Sequence, residues 1–244
     1  MTDIAERLTR VERDQTSPNL RPRDAATLIL IDRSGAVPKV LMGRRHHGHK
    51  FMPGKFVFPG GRVESYDGRM PAAGQLAPEH EARLLRSVQR GSAAKARAFA
   101  LAAIRETCEE TGLLLGNKVE TTPKVPSPSW QMFADANVVP DLAPLQFIAR
   151  AITPPRRSRR FDARFFAADA QAIAHRVEGI VGPQAELDEI VWIPITEARS
   201  LDLPTITQVV LDELQQRVAD GYSPAQPVPF YRMLHKRFVR ELLE

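Results

Sequence analysis

The sequence predicts an α+β fold in which a mixed sheet is covered by helices, and three observations predict it. Short β-type runs rich in branched and aromatic residues stand before, between and after helical stretches. Two stretches carry apolar residues at helical spacing. The chain has 244 residues, 43% hydrophobic and 26% charged, which is enough to bury a substantial core and excludes wholesale disorder or a fibrous architecture.

Residues 1–24 are polar, contain "SPNLRPRD", and read as a short N-terminal arm leading into a single domain over 25–244. "AATLILID" (25–32) and "VPKVLMGRR" (37–45) flank "RSGA", whose glycine marks a hairpin turn. A Gly/Pro-punctuated segment, "KFMPGKFVFPGGRVE", comes next. The stretch from about 68 to 97, rich in Ala, Arg and breakers, reads as an insertion with a helix expected from Pro78 to Gln89. A longer helix is expected from Ala93 to Thr111, ended by Gly112, a residue suited to the left-handed position past a helix terminus. "LQFIARAIT", "RFDARFFAAD" and "ELDEIVWIPI" read as strands. "LPTITQVVLDELQQRVADG" closes the pattern as a helix with Ile206, Val209, Val210 and Leu214 on one face.

The formal charge of +5 is concentrated. Between Arg150 and Arg164 stand Arg150, Arg156, Arg157, Arg159, Arg160 and Arg164 against one acid, Asp162. Guanidinium forks match phosphate oxygens in a small molecule as well as in a polynucleotide, and a solvated basic loop is the plain alternative. No apolar run approaches the ~20 residues that cross a membrane, and "MTDIAERLTRVERDQ" lacks a signal peptide's apolar stretch, so the cytoplasm is the expected compartment. The single cysteine, Cys108, has no internal partner for a disulfide, in agreement with that compartment.

The segment "RETCEETG" (105–112) is the strongest chemical signal. Glu109 and Glu110 lie three and four positions after Glu106, so all three carboxylates share one side of the helix while Leu101, Ile104 and Cys108 occupy the other. Acids in a last turn oppose the helix dipole by ~0.3–1 kcal/mol each and repel one another. Arg105 relieves part of this, and a solvated acidic face is one reading; a divalent cation relieves it better, because hard oxygens are what Mg²⁺ or Mn²⁺ prefers.

"RETCEETGL" together with "FPGGRVESYD" (58–67) resembles the Nudix box, G-x5-E-x7-R-E-U-x-E-E-x-G-U, where U is bulky and aliphatic. Three departures stand out. Asp67 holds the position of the first glutamate, residues 68 to 104 replace a seven-residue spacer, and Thr107 stands at the first aliphatic position. The resemblance implies a Nudix-like α/β/α sandwich with a long insertion inside the box, and water attack on a diphosphate linkage of a nucleoside diphosphate derivative. It also implies Mg²⁺ or Mn²⁺ on Glu106, Glu109 and Glu110, with the carbonyl of Gly60 or Gly61 as a neutral ligand. Glu106 is implied as ligand or general base. Arg105 is implied at the catalytic centre, where Asp67 would brace it. A further glutamate from a later loop is implied, for which Glu186 is the first choice and Glu189 the second. The proton acceptor stays open among these carboxylates.

For substrate, "LMGRRHHGHKFMPGKFVFPGG" (41–61) partly matches the signature of a subgroup resembling coenzyme A diphosphatases, keeping Arg45, Gly54 and FPGG while placing Lys50 at an arginine position. Arg45, Lys50, Arg157 and Arg160 are the candidate substrate-binding residues. ADP-ribose or another nucleoside diphosphate sugar is the enzymatic alternative. A non-catalytic nucleotide- or RNA-binding module is the alternative from another class, disfavoured by the intact acids, so nucleic acid is not the expected partner. A homodimer is compatible with the resemblance. His46, His47 and His49 read as a turn and not a metal site, and Trp192 and Phe161 read as sheet residues or base-stacking platforms.

Overall fold

A computed structural model of the chain describes residues 6, 8, 9, 17–48 and 52–244. Most of the expected N-terminal arm therefore lies outside the described residues, as do Lys50 and His49.

The unbroken apolar run after Asp24 becomes β1 (Arg23–Asp32), a strand buried on both sides. Ala26, Leu28 and Leu30 enter one core, whereas Ile29 and Ile31 enter a second core across the sheet. The other strands are β2 (Lys39–Arg45), β3 (Phe56–Val57), β4 (Gly60–Arg62), β5 (Leu113–Leu115), β6 (Asn117–Lys118), β7 (Val138–Val139), β8 (Gln146–Ile152), β9 (Phe161–Asp169), β10 (Ile173–Arg176), β11 (Leu187–Pro194), β12 (Val228–Leu234) and β13 (Arg237–Leu243). The helices are α1 (Pro78–Leu85), α2 (Ala93–Thr111), α3 (Gln131–Asp135) and α4 (Thr205–Ala219).

The main sheet runs β11-β2-β1-β9-β8-β12-β13, with β3 added beside β2 and β4 beside β1. It is mixed: β1 pairs parallel with β9 and β12 parallel with β8, while β2, β4, β11 and β13 pair antiparallel with their neighbours. Helix α2 covers one face through Phe99, Ala100, Ala103 and Ile104, and α4 covers the other through Val209, Val210 and Leu214. This is the expected α+β sandwich.

Helix α2 spans the expected residues because both ends are capped. The Ser92 side chain accepts from the Lys95 N–H at 3.2 Å. At the far end Gly112 has φ 74°, and a Cβ there would run into the Val177 carbonyl. Helix α1 is shorter than the expected Pro78–Gln89. It stops at Leu85 because Arg86 turns extended and Ser87 takes a positive φ of 55°. Arg83 fastens α1 to the rest by donating to the carbonyls of Pro224 at 2.6 Å and Ala225 at 2.8 Å.

Candidate active site

The site grows from the contact of β4 with the C-terminal half of α2. Gly60 and Gly61 pair with Thr27 and Ala26 of β1, which sets the glycine loop beside the acidic turn. The Gly60 N–H donates to Glu110 Oε2 at 3.3 Å. A Cβ on Gly60 would strike the Ala26 carbonyl and the Thr27 Cα, so the close approach requires glycine there, and a Cβ on Gly61 would push the Glu106 carboxylate aside.

Arg105 organises the turn from beneath. Its Nε donates to Asp67 Oδ1 at 2.7 Å and its Nη2 to Asp67 Oδ2 at 3.1 Å and to the Arg62 carbonyl at 2.7 Å. Its Nη1 donates to Glu106 Oε1 at 2.8 Å and Glu109 Oε2 at 2.7 Å. Burial alone would lower the Arg105 pKa; the hydrogen bond with Asp67 and the charges of Glu106, Asp67 and Glu109 outweigh it and hold the pKa raised. The shorter aspartate thus reaches the arginine in a bidentate pair, and both side chains are buried. Thr107 fits its apolar slot because its hydroxyl donates back to the Ala103 carbonyl at 2.8 Å.

The remaining carboxylates carry the electrostatic tension. Burial pushes the Glu106 pKa up to about 7; Arg105 pulls against the shift, while Glu109 and Glu186 add to it. Glu110 is raised well above the usual carboxylate range, first by burial and then by the charges of Glu186 and Glu106, with Arg45 and the Gly60 N–H opposing. Cys108, on the packed side, has its thiol pushed up to about 12 by burial and by Glu109.

Glu106 and Glu110 open onto a cavity of about 770 Å³ on the β1 face that α4 also covers. Gly60, Gly61, Glu106, Glu110, Glu186, Arg45 and Arg157 line it. Glu186 pairs with Arg45 at 3.0 Å, whereas Glu189 turns to Arg44 at 3.2 Å and does not reach the cavity. Glu109 is also outside the lining, turned to Arg105. Among the described residues no three His, Cys, Asp or Glu side chains form a ready-made ligand cluster, His46 and His47 included.

The arginine cluster separates into different roles. Arg150 and Arg164 sit opposite each other on β8 and β9, are buried, and share Asp162 at 2.7 and 3.1 Å. Arg160 is not brought to the cavity. It donates to the Leu20 carbonyl at 2.5 Å, the Asn19 side chain at 2.9 Å and the Thr153 carbonyl at 3.1 Å, fastening the segment before β1. Arg159 lines the cavity in its place. Phe161 lines the cavity as well, while Trp192 is a 38% exposed residue of β11 away from it. Sequence reasoning missed Thr27, Glu64 and the start of α4, Pro204 to Thr207, all in the cavity wall. A Pro-Thr pair opening an apolar-periodic run was the available signal for the last of these.

No family model and no curated protein matches the chain. Solved structures do match. A NUDIX hydrolase from Alicyclobacillus acidocaldarius is 31% identical, with a TM-score of 0.58 over 79% of this chain and 90% of its own. The Nudix hydrolase RenU from M. smegmatis is 16% identical, with a TM-score of 0.44 over 81% of this chain and 86% of its own. The NUDIX domain of Shewanella oneidensis NrtR, solved with ADP ribose, is 12% identical, with a TM-score of 0.45 over 89% and 99%. The first of these comparisons, joined to the fold, sets the class: a hydrolase acting on phosphoanhydride bonds. The chain belongs to the Nudix hydrolases. No helix among the described residues is long and apolar enough to cross a membrane.

Proposed function

We propose that this Nudix hydrolase cleaves the diphosphate linkage of a nucleoside diphosphate derivative with the help of Mg²⁺ or Mn²⁺. The observation that carries the reading is the convergence of Glu106, Glu110 and Glu186 on one cavity, where burial and mutual repulsion raise the first two pKa values. The donor set fits a hard divalent cation. Glu106, Glu109 and Glu110, with the Gly61 carbonyl, would hold it through oxygens alone. When bound, such a cation neutralises phosphate oxygens and makes a water molecule a better nucleophile.

The chain's own residues supply positioning and proton transfer. Arg105 takes one oxygen of Glu106 and one of Glu109, fixing both side chains while leaving the second oxygen of each outside that contact. Arg45 holds Glu186 on the cavity wall. Glu106 and Glu186 are the two candidates for accepting the proton of the attacking water. Arg45 and Arg157 would bind substrate phosphate, whereas Arg160, engaged with the segment before β1, would act on the fold.

Coenzyme A or an acyl derivative is the substrate we favour, on the partial signature around Arg45, Gly54 and FPGG. ADP-ribose is the rival. The test is hydrolysis with Mg²⁺ or Mn²⁺ over coenzyme A, acyl-coenzyme A, ADP-ribose, NADH, diadenosine polyphosphates and a deoxynucleoside triphosphate, with products identified by mass. Release of 3′,5′-ADP and a phosphopantetheine supports the favoured substrate. No turnover on any member would sink the enzymatic reading in favour of a nucleotide- or RNA-binding module.

A further inference from the structure

We propose that the N-terminus of α4, together with the Thr207 hydroxyl, is an anion subsite for a phosphate monoester that the ligand carries in addition to its diphosphate linkage. The proposal rests on the proposed function for the ligand being a nucleoside diphosphate derivative; the subsite itself stands on three separate observations.

The first turn of α4 is uncapped. Pro204 stands at the cap position and contributes no side-chain hydrogen bond, and the turn contains no acid. The first backbone bond of the helix runs from the Gln208 N–H to the Pro204 carbonyl at 3.1 Å. The N–H groups of Thr205, Ile206 and Thr207 therefore have no acceptor within the helix, and all three residues line the cavity. Such a terminus presents oriented donors and the positive end of the helix dipole.

Thr207 is the second observation. It is only 5% exposed, it lines the same cavity, and its hydroxyl makes no hydrogen bond among the described residues. The residue is nearly buried while its hydroxyl is not among the atoms shut off from solvent, so the hydroxyl is free to donate to a ligand oxygen at the helix start. Thr107 and Thr111 show the contrast, since each bonds the carbonyl four residues back.

The third is the charge of the surrounding wall. The stretch of cavity wall from Ala151 to Phe165 contributes Arg157 and Arg159 and no acid. Arg157 makes no ion pair among the described residues. Asp202, just before α4, is outside the lining and is held by Lys55 at 2.5 Å. The cavity acids come instead from α2, from Glu64 after β4 and from Glu186 before β11. One cavity thus combines a carboxylate wall with an uncapped helix terminus that carries no acid. A ligand with a diphosphate and a separate monoester would use both.

The test measures binding directly, so that it does not depend on turnover. Adenosine 5′-monophosphate, adenosine 2′,5′-bisphosphate and adenosine 3′,5′-bisphosphate are titrated by calorimetry into the full-length wild type, Pro204→Asp and Thr207→Val. Inorganic phosphate is added as a competitor. Pro204→Asp places the chain's own carboxylate on the helix donors and should strengthen the helix; Thr207→Val keeps the shape and removes the hydroxyl. Thermal melts establish that both variants fold. The wild type should bind one bisphosphate at least about tenfold more tightly than the monophosphate, a margin expected of a few charge-assisted hydrogen bonds. That margin should vanish in Pro204→Asp and shrink several-fold in Thr207→Val, with monophosphate affinity unchanged. Equal affinities on the wild type, or a margin that survives Pro204→Asp, overturns the subsite. Loss of the margin to inorganic phosphate alone, without any nucleotide preference, also overturns it, because the site would then take free phosphate only. Hydrolysis of the substrate panel is measured in parallel. Turnover without the margin removes the subsite and leaves the proposed function, whereas the margin without turnover removes the proposed function and leaves the subsite.

Discussion

His80 provides a quantitative test of how α1 is held to the fold. Its imidazole is buried on α1, and neither ring nitrogen has a hydrogen-bond partner. Burial pulls its pKa from the usual 6.5 down to about 4; Arg83 on the same helix and Arg217 on α4 contribute, and Glu79 opposes. A folded-state pKa below the unfolded value means that the unfolded chain takes up the proton first. Stability is therefore present above about pH 6.5 and lost as pH falls toward about 4. At about 1.4 kcal/mol per pH unit the loss approaches about 3 kcal/mol. His80→Leu removes the titration together with two unsatisfied polar atoms, so the variant should be at least as stable as wild type at neutral pH, by about 1 kcal/mol or more. Denaturant melts of both proteins between about pH 7 and about pH 4 measure the difference. The gap in favour of the variant should widen by about 3 kcal/mol across that range. A gap that stays flat with pH would refute a buried, neutral, unpartnered imidazole at this position.

The other predictions concern the acidic turn. Glu106→Gln should lower turnover by at least about a hundredfold, and Glu110→Gln should abolish it, while melts show stability unchanged or slightly raised because a buried like charge is gone. Asp67→Asn should cost about 3–5 kcal/mol in urea melts, since it leaves the Arg105 guanidinium buried against half a partner. Gly61→Ala should reduce turnover strongly, because its Cβ meets the Glu106 carboxylate; near wild-type kinetics would show that the loop yields easily. Arg45→Met should release Glu186 and change both KM and the pH–rate profile, read from steady-state kinetics.

What the sequence revealed and what it concealed have separate physical causes. Helix α2 was legible to the residue because Ser92 and Gly112 cap it, and β1 because a strand buried on both faces reads as one apolar run. The hairpin β12–β13 was not legible. Its two-residue turn is built from His235 and Lys236 at φ 46° and 68°, with none of the Asn-Gly or Asp-Gly chemistry that marks such turns. The arginine run misled for a related reason. Register on β8 and β9 sets Arg150 beside Arg164 around Asp162, a pairing that spacing along one chain does not reveal. Of the residues named from the acidic turn and the resemblance, Glu106, Glu110 and Glu186 line the cavity, whereas the α4 start that also lines it was not named, because its donors are backbone groups that any helix start would offer.

The three glutamates crowded at the negative end of α2 are tolerable because Arg105 is itself buried and braced. A guanidinium free to swing would follow the carboxylates into solvent; one held by Asp67 and the Arg62 carbonyl stays fixed and draws Glu106 and Glu109 toward it. This neutralisation is partial. Among the described residues, Asp67, Glu106, Glu109 and Glu186 pair with Arg105 and Arg45 alone, and Glu110, the most deeply buried of the cavity acids, receives a single 3.3 Å backbone donor. Burial then acts on the charge that is left over, which is why the pKa values of Glu106 and Glu110 rise although a guanidinium lies in the same turn. A chain selected for stability alone would place Gln or Leu at these positions. Retaining acids there, with a glycine loop pressed so close that a single methyl group would strike one of them, makes physical sense for a wall whose charge is completed by a ligand cation.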